Sequence, residues 1–188
     1  MRHTATLLAG MALLAGCGEP ITTEATGFRP QVAANQGLGA EVNQQLAALR
    51  RATAAFQDFN VAKQAGWGTP ITPCMTDPGG AGGMGFHYGN TDLINGTATV
   101  ENPQLLLYEP EQNGRLRLVA VEYIIPYSFH ARDAAPPVLF GQRFAQVDAF
   151  GVWGLHAWVW KENPSGIFFP WNPSVGCANA TASLSMSH

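Results

Sequence analysis

The chain has 188 residues, with 10 Lys and Arg against 13 Asp and Glu (net charge −3) and 46% hydrophobic residues. Such a length suits one domain with its own apolar core. Charged residues make up only 12%, about half the usual ~25%, which excludes charge-driven disorder and a basic nucleic-acid binder. The 21 Gly and 13 Pro point to a loop-rich fold rather than a helical bundle.

The chain opens MRHTATLLAGMALLAGC. Arg2 gives a basic start, Leu7 to Leu14 an apolar run, and Ala15-Gly16 small residues before Cys17. The run is too short to span a bilayer as a helix and has the layout of a secretory signal. Leu14-Ala15-Gly16-Cys17 resembles a bacterial lipobox, in which the cysteine is lipidated and becomes the first mature residue. The plainer alternative is an ordinary signal peptide with an incidental cysteine. Cleavage after Gly16 removes only Arg2 among the charges, leaving nine basic and 13 acidic residues. Acyl chains would then hold the protein at a membrane surface, each buried CH₂ contributing ~0.8 kcal/mol. Gly18 is not the Asp that retains many such proteins at the inner membrane. The expected location is therefore the periplasmic face of the outer membrane, in a Gram-negative cell. Residues 17–39, rich in Thr, Ala, Gly and Gln, read as a flexible tether, and 40–188 as a single globular domain.

Export also bears on the cysteines. With Cys17 lipidated, Cys74 and Cys177 are an even pair in an oxidising compartment. A bridge between them closes a loop of about 100 residues, for which chain entropy gives ~4.7 kcal/mol. Two thiols ligating a metal are the alternative, but neither has a Cys-x-x-Cys neighbour, so a disulfide is expected.

Ala40 to Gly66 carries the one long helical pattern. Val42, Leu46, Leu49, Thr53, Phe56 and Asn60 recur at spacings of three and four, forming one apolar stripe. Gly66 stops it, with Pro70 and Pro73 close behind. The following run, Asp77-Pro78-Gly79-Gly80-Ala81-Gly82-Gly83, lacks the Gly-Lys-Ser/Thr ending of a phosphate-cradling loop and has no helix after it. It reads as a loop near a site.

Strand patterns follow. Met84–Tyr88 (MGFHY) is short and sets His87 beside glycines, which let another group approach closely. Leu105–Glu109 and Arg115–Ile125 flank Asn113-Gly114, a strong signal for a two-residue type I′ hairpin. Such a turn pairs Glu109 with Leu118, Leu107 with Ala120 and Leu105 with Glu122. Strand alternation then puts Leu116, Leu118, Ala120, Glu122 and Ile124 on one face, together with Leu105, Leu107 and Glu109. Glu109 and Glu122 would stand ~13 Å apart, from four residues at about 3.3 Å each. A carboxylate on such an apolar face must shift its pKa or find a cation or donors, and Glu122, deeper in the strand, is the more exposed to that demand. Val152–Trp160 (VWGLHAWVW) is a further strand, with His156 on the face of Val152, Trp158 and Trp160.

These residues define the candidate site: His87, Glu122 and His156, with Glu109 as a fourth member. Two imidazoles and a carboxylate on neighbouring strands can hold a divalent transition metal (Zn²⁺, Fe²⁺, Cu²⁺ or Mn²⁺) and leave positions open for water or a small-molecule ligand. Without metal, the same set makes a His–Glu acid/base pair in an aromatic-lined pocket. There is no His-x-His or His-Glu-x-x-His. A lone histidine in an apolar strand is ordinarily a core residue, and Glu122 has Arg117, Arg143 or Lys161 as architectural partners. His130 falls in a Pro-bounded loop and is expected to be exposed, while His188 is terminal. No Gly-x-Ser-x-Gly supports a serine hydrolase. A contrasting function is a non-catalytic envelope lipoprotein, acting through an aromatic surface at Trp158, Trp160 and Trp171.

Several of these stretches are fairly specific taken together. Ala52-Thr53 to Ala65-Gly66-Trp67 before Cys74, then Met84-Gly85-Phe86-His87-Tyr88, Leu107-Tyr108-Glu109, Val121-Glu122-Tyr123, Leu155-His156-Ala157-Trp158, Asn163-Pro164-Ser165-Gly166 and Trp171-Asn172-Pro173 resemble an uncharacterised family of bacterial exported proteins. The likeness runs from about Leu49 to Cys177 and implies one compact exported domain, with no activity attached. The expected architecture is α+β, a long N-terminal helix packed on a mostly antiparallel, twisted sheet or small open barrel.

Overall fold

A computed structural model describes residues 38–180; the expected signal peptide, the lipobox with Cys17, almost all of the tether, and His188 lie outside the described residues. The fold is α+β, with helices against a curled, antiparallel six-stranded sheet in the order β1-β2-β3-β4-β8-β7. The strands are β1 Thr69–Thr76, β2 Gly83–Gly89, β3 Leu105–Pro110, β4 Leu116–Pro126, β7 Ala145–Val147 and β8 Val152–Ala157; β5 Val138–Leu139 and β6 Gln142–Arg143 form a separate small hairpin.

The N-terminal helix is shorter than its sequence pattern suggests. Helix α1 covers Ala40–Thr53, tightens into a 3₁₀ turn at Ala54–Gln57, and gives way to a separate helix α2, Phe59–Gln64. Thr53 donates its hydroxyl to the Leu49 carbonyl at 2.8 Å, and Asp58 turns out of helical geometry to accept the amide of Asn60 at 2.9 Å. Asp58 is thus an N-cap inside the predicted helix, and capping outweighs continuation there. The break rotates the apolar phase. Leu46, Leu49 and Thr53 are buried as expected, but Asn60 is exposed and Ala62 takes the inward position. Gly66, at φ +110°, closes α2 in the left-handed conformation that favours glycine.

The β3–β4 hairpin departs from expectation at its tip. Glu111 and Arg115 bracket the loop: the Glu111 amide donates to the Arg115 carbonyl, and the Gly114 amide to the Glu111 carbonyl. Gly114 has φ +77° whereas Asn113 is not in the positive region, so a type I′ turn, which needs both, is excluded. The result is a three-residue loop with Gly114 at the left-handed position. This shifts the pairing by one residue, so that Glu109 faces Arg117 rather than Leu118. A bulge at Val119 then restores the predicted register, and Leu107 pairs with Ala120 and Leu105 with Glu122. Leu116 and Leu118 are consequently on the opposite face from Ala120 and Glu122, since an extra residue reverses alternation.

Two apolar layers sandwich the sheet. One contains Phe86, Tyr88, Leu106, Tyr108, Val121, Tyr123, Leu155 and Ala157, packed on Leu46, Leu49 and Trp67 from the helical side. The other contains Met84, Leu105, Leu107, Ala120 and Ile124, and is covered by Trp158, Trp171 and Val175 from the C-terminal segment. Three ties hold this cover. Cys74 is bonded to Cys177, Gly83 and Asn172 exchange backbone hydrogen bonds at 3.0 Å, and Lys161 pairs with Glu109 at 2.6 Å. The Gly-rich run before β2 is the β1–β2 turn, closed by the Asp77 amide donating to the Gly82 carbonyl at 2.8 Å. Strand β8 ends at Ala157, earlier than Trp160, because the Trp158 amide turns to the Ile167 carbonyl.

Candidate metal centre

Alternation places three polar residues on the second face. His87 sits between Phe86 and Tyr88, Glu122 between Val121 and Tyr123, and His156 between Leu155 and Ala157; all six flanking side chains belong to the helix-facing layer. A period of two therefore turns each of the three the other way. Glu122 and His156 are directly paired across β4 and β8. His87 lies on β2, two strands from Glu122, opposite Leu107, while Leu105 opposes Glu122. Their side chains meet across β3.

The three groups converge and are buried. His87 Nε2 lies 3.5 Å from Glu122 Oε2, and His156 Nε2 lies 3.8 Å from the same oxygen. One ligand atom from each residue falls within 4.8 Å of the other two. Relative exposure is 3% for His87, 7% for Glu122 and 6% for His156. The imidazoles are near-perpendicular, with ring centres 6.3 Å apart, and Trp158 stacks on His156. Behind His87, Thr72 Oγ1 is 2.7 Å from Nδ1. His156 Nε2 is buried with no hydrogen-bond partner.

Burial governs the electrostatics. It pushes the Glu122 carboxyl up to about 8. It lowers His87 to about 4, and lowers His156 to about 3 with a further contribution from neighbouring His87. With nothing bound, all three are mainly uncharged at neutral pH. No lysine or arginine among the described residues forms an ion pair with Glu122. Arg117, Arg143 and Lys161 are thus not its partners.

Glu109 does not join the cluster. The offset at the hairpin tip and the long-range approach of Lys161 commit it elsewhere: Lys161 Nζ donates to Oε2, and the Gly176 amide donates to Oε1 at 3.3 Å. Its role is to hold the C-terminal cover. His130 is half-buried rather than exposed, its Nε2 2.7 Å from the Ala135 carbonyl oxygen. The tryptophans are packing residues. Trp158 is 3% exposed and donates to the Phe169 carbonyl, Trp160 is half-buried against Thr53, and Trp171 packs on the second layer.

Two contributors were not legible in the sequence. Thr72, between Pro70 and Pro73, carries no motif or strand pattern, yet it lies on edge strand β1 opposite His87. Gly154 shares the face of His156, and a Cβ there would come within 3.0 Å of both Glu122 Oε1 and Val147 Cγ2. Its missing side chain is the space the carboxylate uses. Gly154→Ala is expected to cost ~1–3 kcal/mol by overpacking and to displace the carboxylate. Urea unfolding measures this, and a change below ~0.5 kcal/mol would show that Glu122 can rest elsewhere.

Comparisons with protein-family models, with curated proteins and with solved structures returned no match. Function therefore has to follow from the chemistry of the site itself.

Proposed function

We propose that this chain is an exported, lipid-anchored protein whose domain holds one divalent transition-metal ion between His87, Glu122 and His156. The supporting observation is the spacing around Glu122 Oε2. Contacts of 3.5 and 3.8 Å exceed the ~2.7–3.2 Å of a hydrogen bond. They approach the ~3.3 Å that separates two ligands held tetrahedrally by bonds of about 2.0–2.1 Å. The partnerless Nε2 of His156 and a buried carboxyl without a cation are both accounted for if each donates to a metal ion. Two imidazoles and one carboxylate suit Zn²⁺, Fe²⁺, Cu²⁺ or Mn²⁺. A bound ion of this kind supplies the positive charge that ionised Glu122 otherwise lacks, together with Lewis acidity toward a small-molecule ligand.

Elemental analysis of protein purified without a His tag tests this reading. About one metal per chain is expected, as isolated or after incubation with each of the four ions. Failure to retain any of them overturns the metal centre.

Anchoring is proposed from the lipobox at Cys17. Among the described residues no helix is long and apolar enough to cross a membrane. Labelled palmitate should enter the wild-type chain in a bacterial host and not Cys17→Ser. An unlabelled wild type would remove the anchor and leave the metal proposal standing.

A further inference from the structure

Strand β1 is irregular at one place. It pairs Pro70 with Tyr88, Thr72 with His87 and Met75 with Gly85, with register shifts on both sides of Thr72. Bulges of this kind re-aim a side chain and are over-represented beside functional sites. As an edge strand, β1 tolerates Pro70 and Pro73, whose missing amides are not needed by a further neighbour. Here the irregularity sets the Thr72 hydroxyl directly behind His87, 2.7 Å from Nδ1, while Nε2 of the same ring points to Glu122.

A neutral imidazole carries one proton, and the group on one nitrogen decides which nitrogen keeps its lone pair. Metal-binding histidines commonly donate the other ring N–H to an oxygen that fixes tautomer and ring orientation. Resting on the metal reading above, we infer that Thr72 is a positioning residue: its Oγ1 accepts the Nδ1–H of His87 and leaves the Nε2 lone pair facing Glu122 and His156. A threonine suits this task because its branched Cβ restricts χ1, and a hydroxyl accepts without adding a charge beside a buried neutral ring.

The test uses the full chain and Zn²⁺, with affinity read by chelator competition. Thr72→Val keeps the shape and removes the hydroxyl. It is expected to weaken binding 10–100-fold, the usual effect of losing such an outer partner, while Thr72→Ser restores most of it. Wild-type affinity in Thr72→Val overturns the inference. Tautomer is read independently from long-range ¹H–¹⁵N correlations of the metal-free wild type, which needs no variant to fold. A proton on Nδ1 of His87 supports the assignment, and a proton on Nε2 overturns it. A wild type that binds no Zn²⁺ overturns the zinc form of the metal reading instead, and the tautomer measurement then decides the role of Thr72 alone.

Discussion

Glu122→Gln is expected to abolish stoichiometric metal binding and, at the same time, to make the metal-free protein more stable above pH 8. Glutamine matches glutamate in volume, so the packing against Gly154 and His156 is retained. What disappears is a carboxyl that burial holds up at about 8, against an ordinary value of 4.5. Above pH 8 that group is ionised in both folded and unfolded chains, and the folded chain bears the full cost of a buried, unpaired charge. Each pKa unit corresponds to about 1.4 kcal/mol; after allowing for the buried amide of Gln, a gain of ~1–3 kcal/mol is expected. Urea unfolding of chelator-treated wild type and variant at pH 9 measures it. A purely architectural Glu122 makes the opposite forecast, namely loss of stability on substitution. His156→Ala and His87→Ala should also abolish binding at the proposed centre, because each removes a donor that it requires, and their effect should exceed the 10–100-fold typical of an outer partner. Both also leave cavities, His156→Ala beneath Trp158, so they should destabilise the metal-free chain where Glu122→Gln does not.

Metal affinity should rise about tenfold per pH unit between pH 4 and 8 and level off above 8. Binding requires an ionised carboxylate and neutral imidazoles. In the metal-free protein His87 and His156 lose their protons only near pH 4 and 3, and Glu122 keeps its proton until about pH 8. Across that window, one proton must leave Glu122 for each ion bound. Below pH 4 the histidines take up protons too, and the dependence steepens. Solvent-exposed ligands would instead give a curve breaking near the ordinary histidine value of ~6.5. Isothermal titration in two buffers of different ionisation enthalpy counts the released protons directly: about one at pH 6.5 and none at pH 9 is expected.

The same shifts make the stability of the metal-free chain depend on pH. Its raised Glu122 pKa means that the folded state holds a proton the unfolded state has lost, so stability declines from pH 4.5 up to 8. The lowered histidine values act the other way: the unfolded state binds more protons below 6.5, so stability falls as pH drops from 6.5 toward 3. With two histidines opposing one glutamate, the combined contribution of these three groups is greatest near pH 6.5.

The candidate site divides along the range of the forces that build it. Alternation is a local property, fixed by the pleat, and it already placed Glu122 on the face of Leu105 and Ala120, and His156 on the face of Trp158. Their cross-strand pairing and the meeting with His87 across β3 depend on strand order and on the sheet's curl, which no local pattern encodes. Glu109 shows the reverse case. Its spacing and chemistry resemble those of Glu122, but Lys161, 52 residues away in sequence, claims it.

Composition and periodicity by themselves determined an α+β domain with one N-terminal helical region, a hairpin, and polar residues set into apolar strands, because these follow from contacts between near neighbours along the chain. Only tertiary structure decided the bulge at Val119, whose carbonyl accepts from the Trp160 and Lys161 amides, the placement of Thr72 behind His87, and the choice of one carboxylate over another. Each of those is a competition between a local preference and a partner brought in from far away, and burial tips the balance by making every unsatisfied polar group costly.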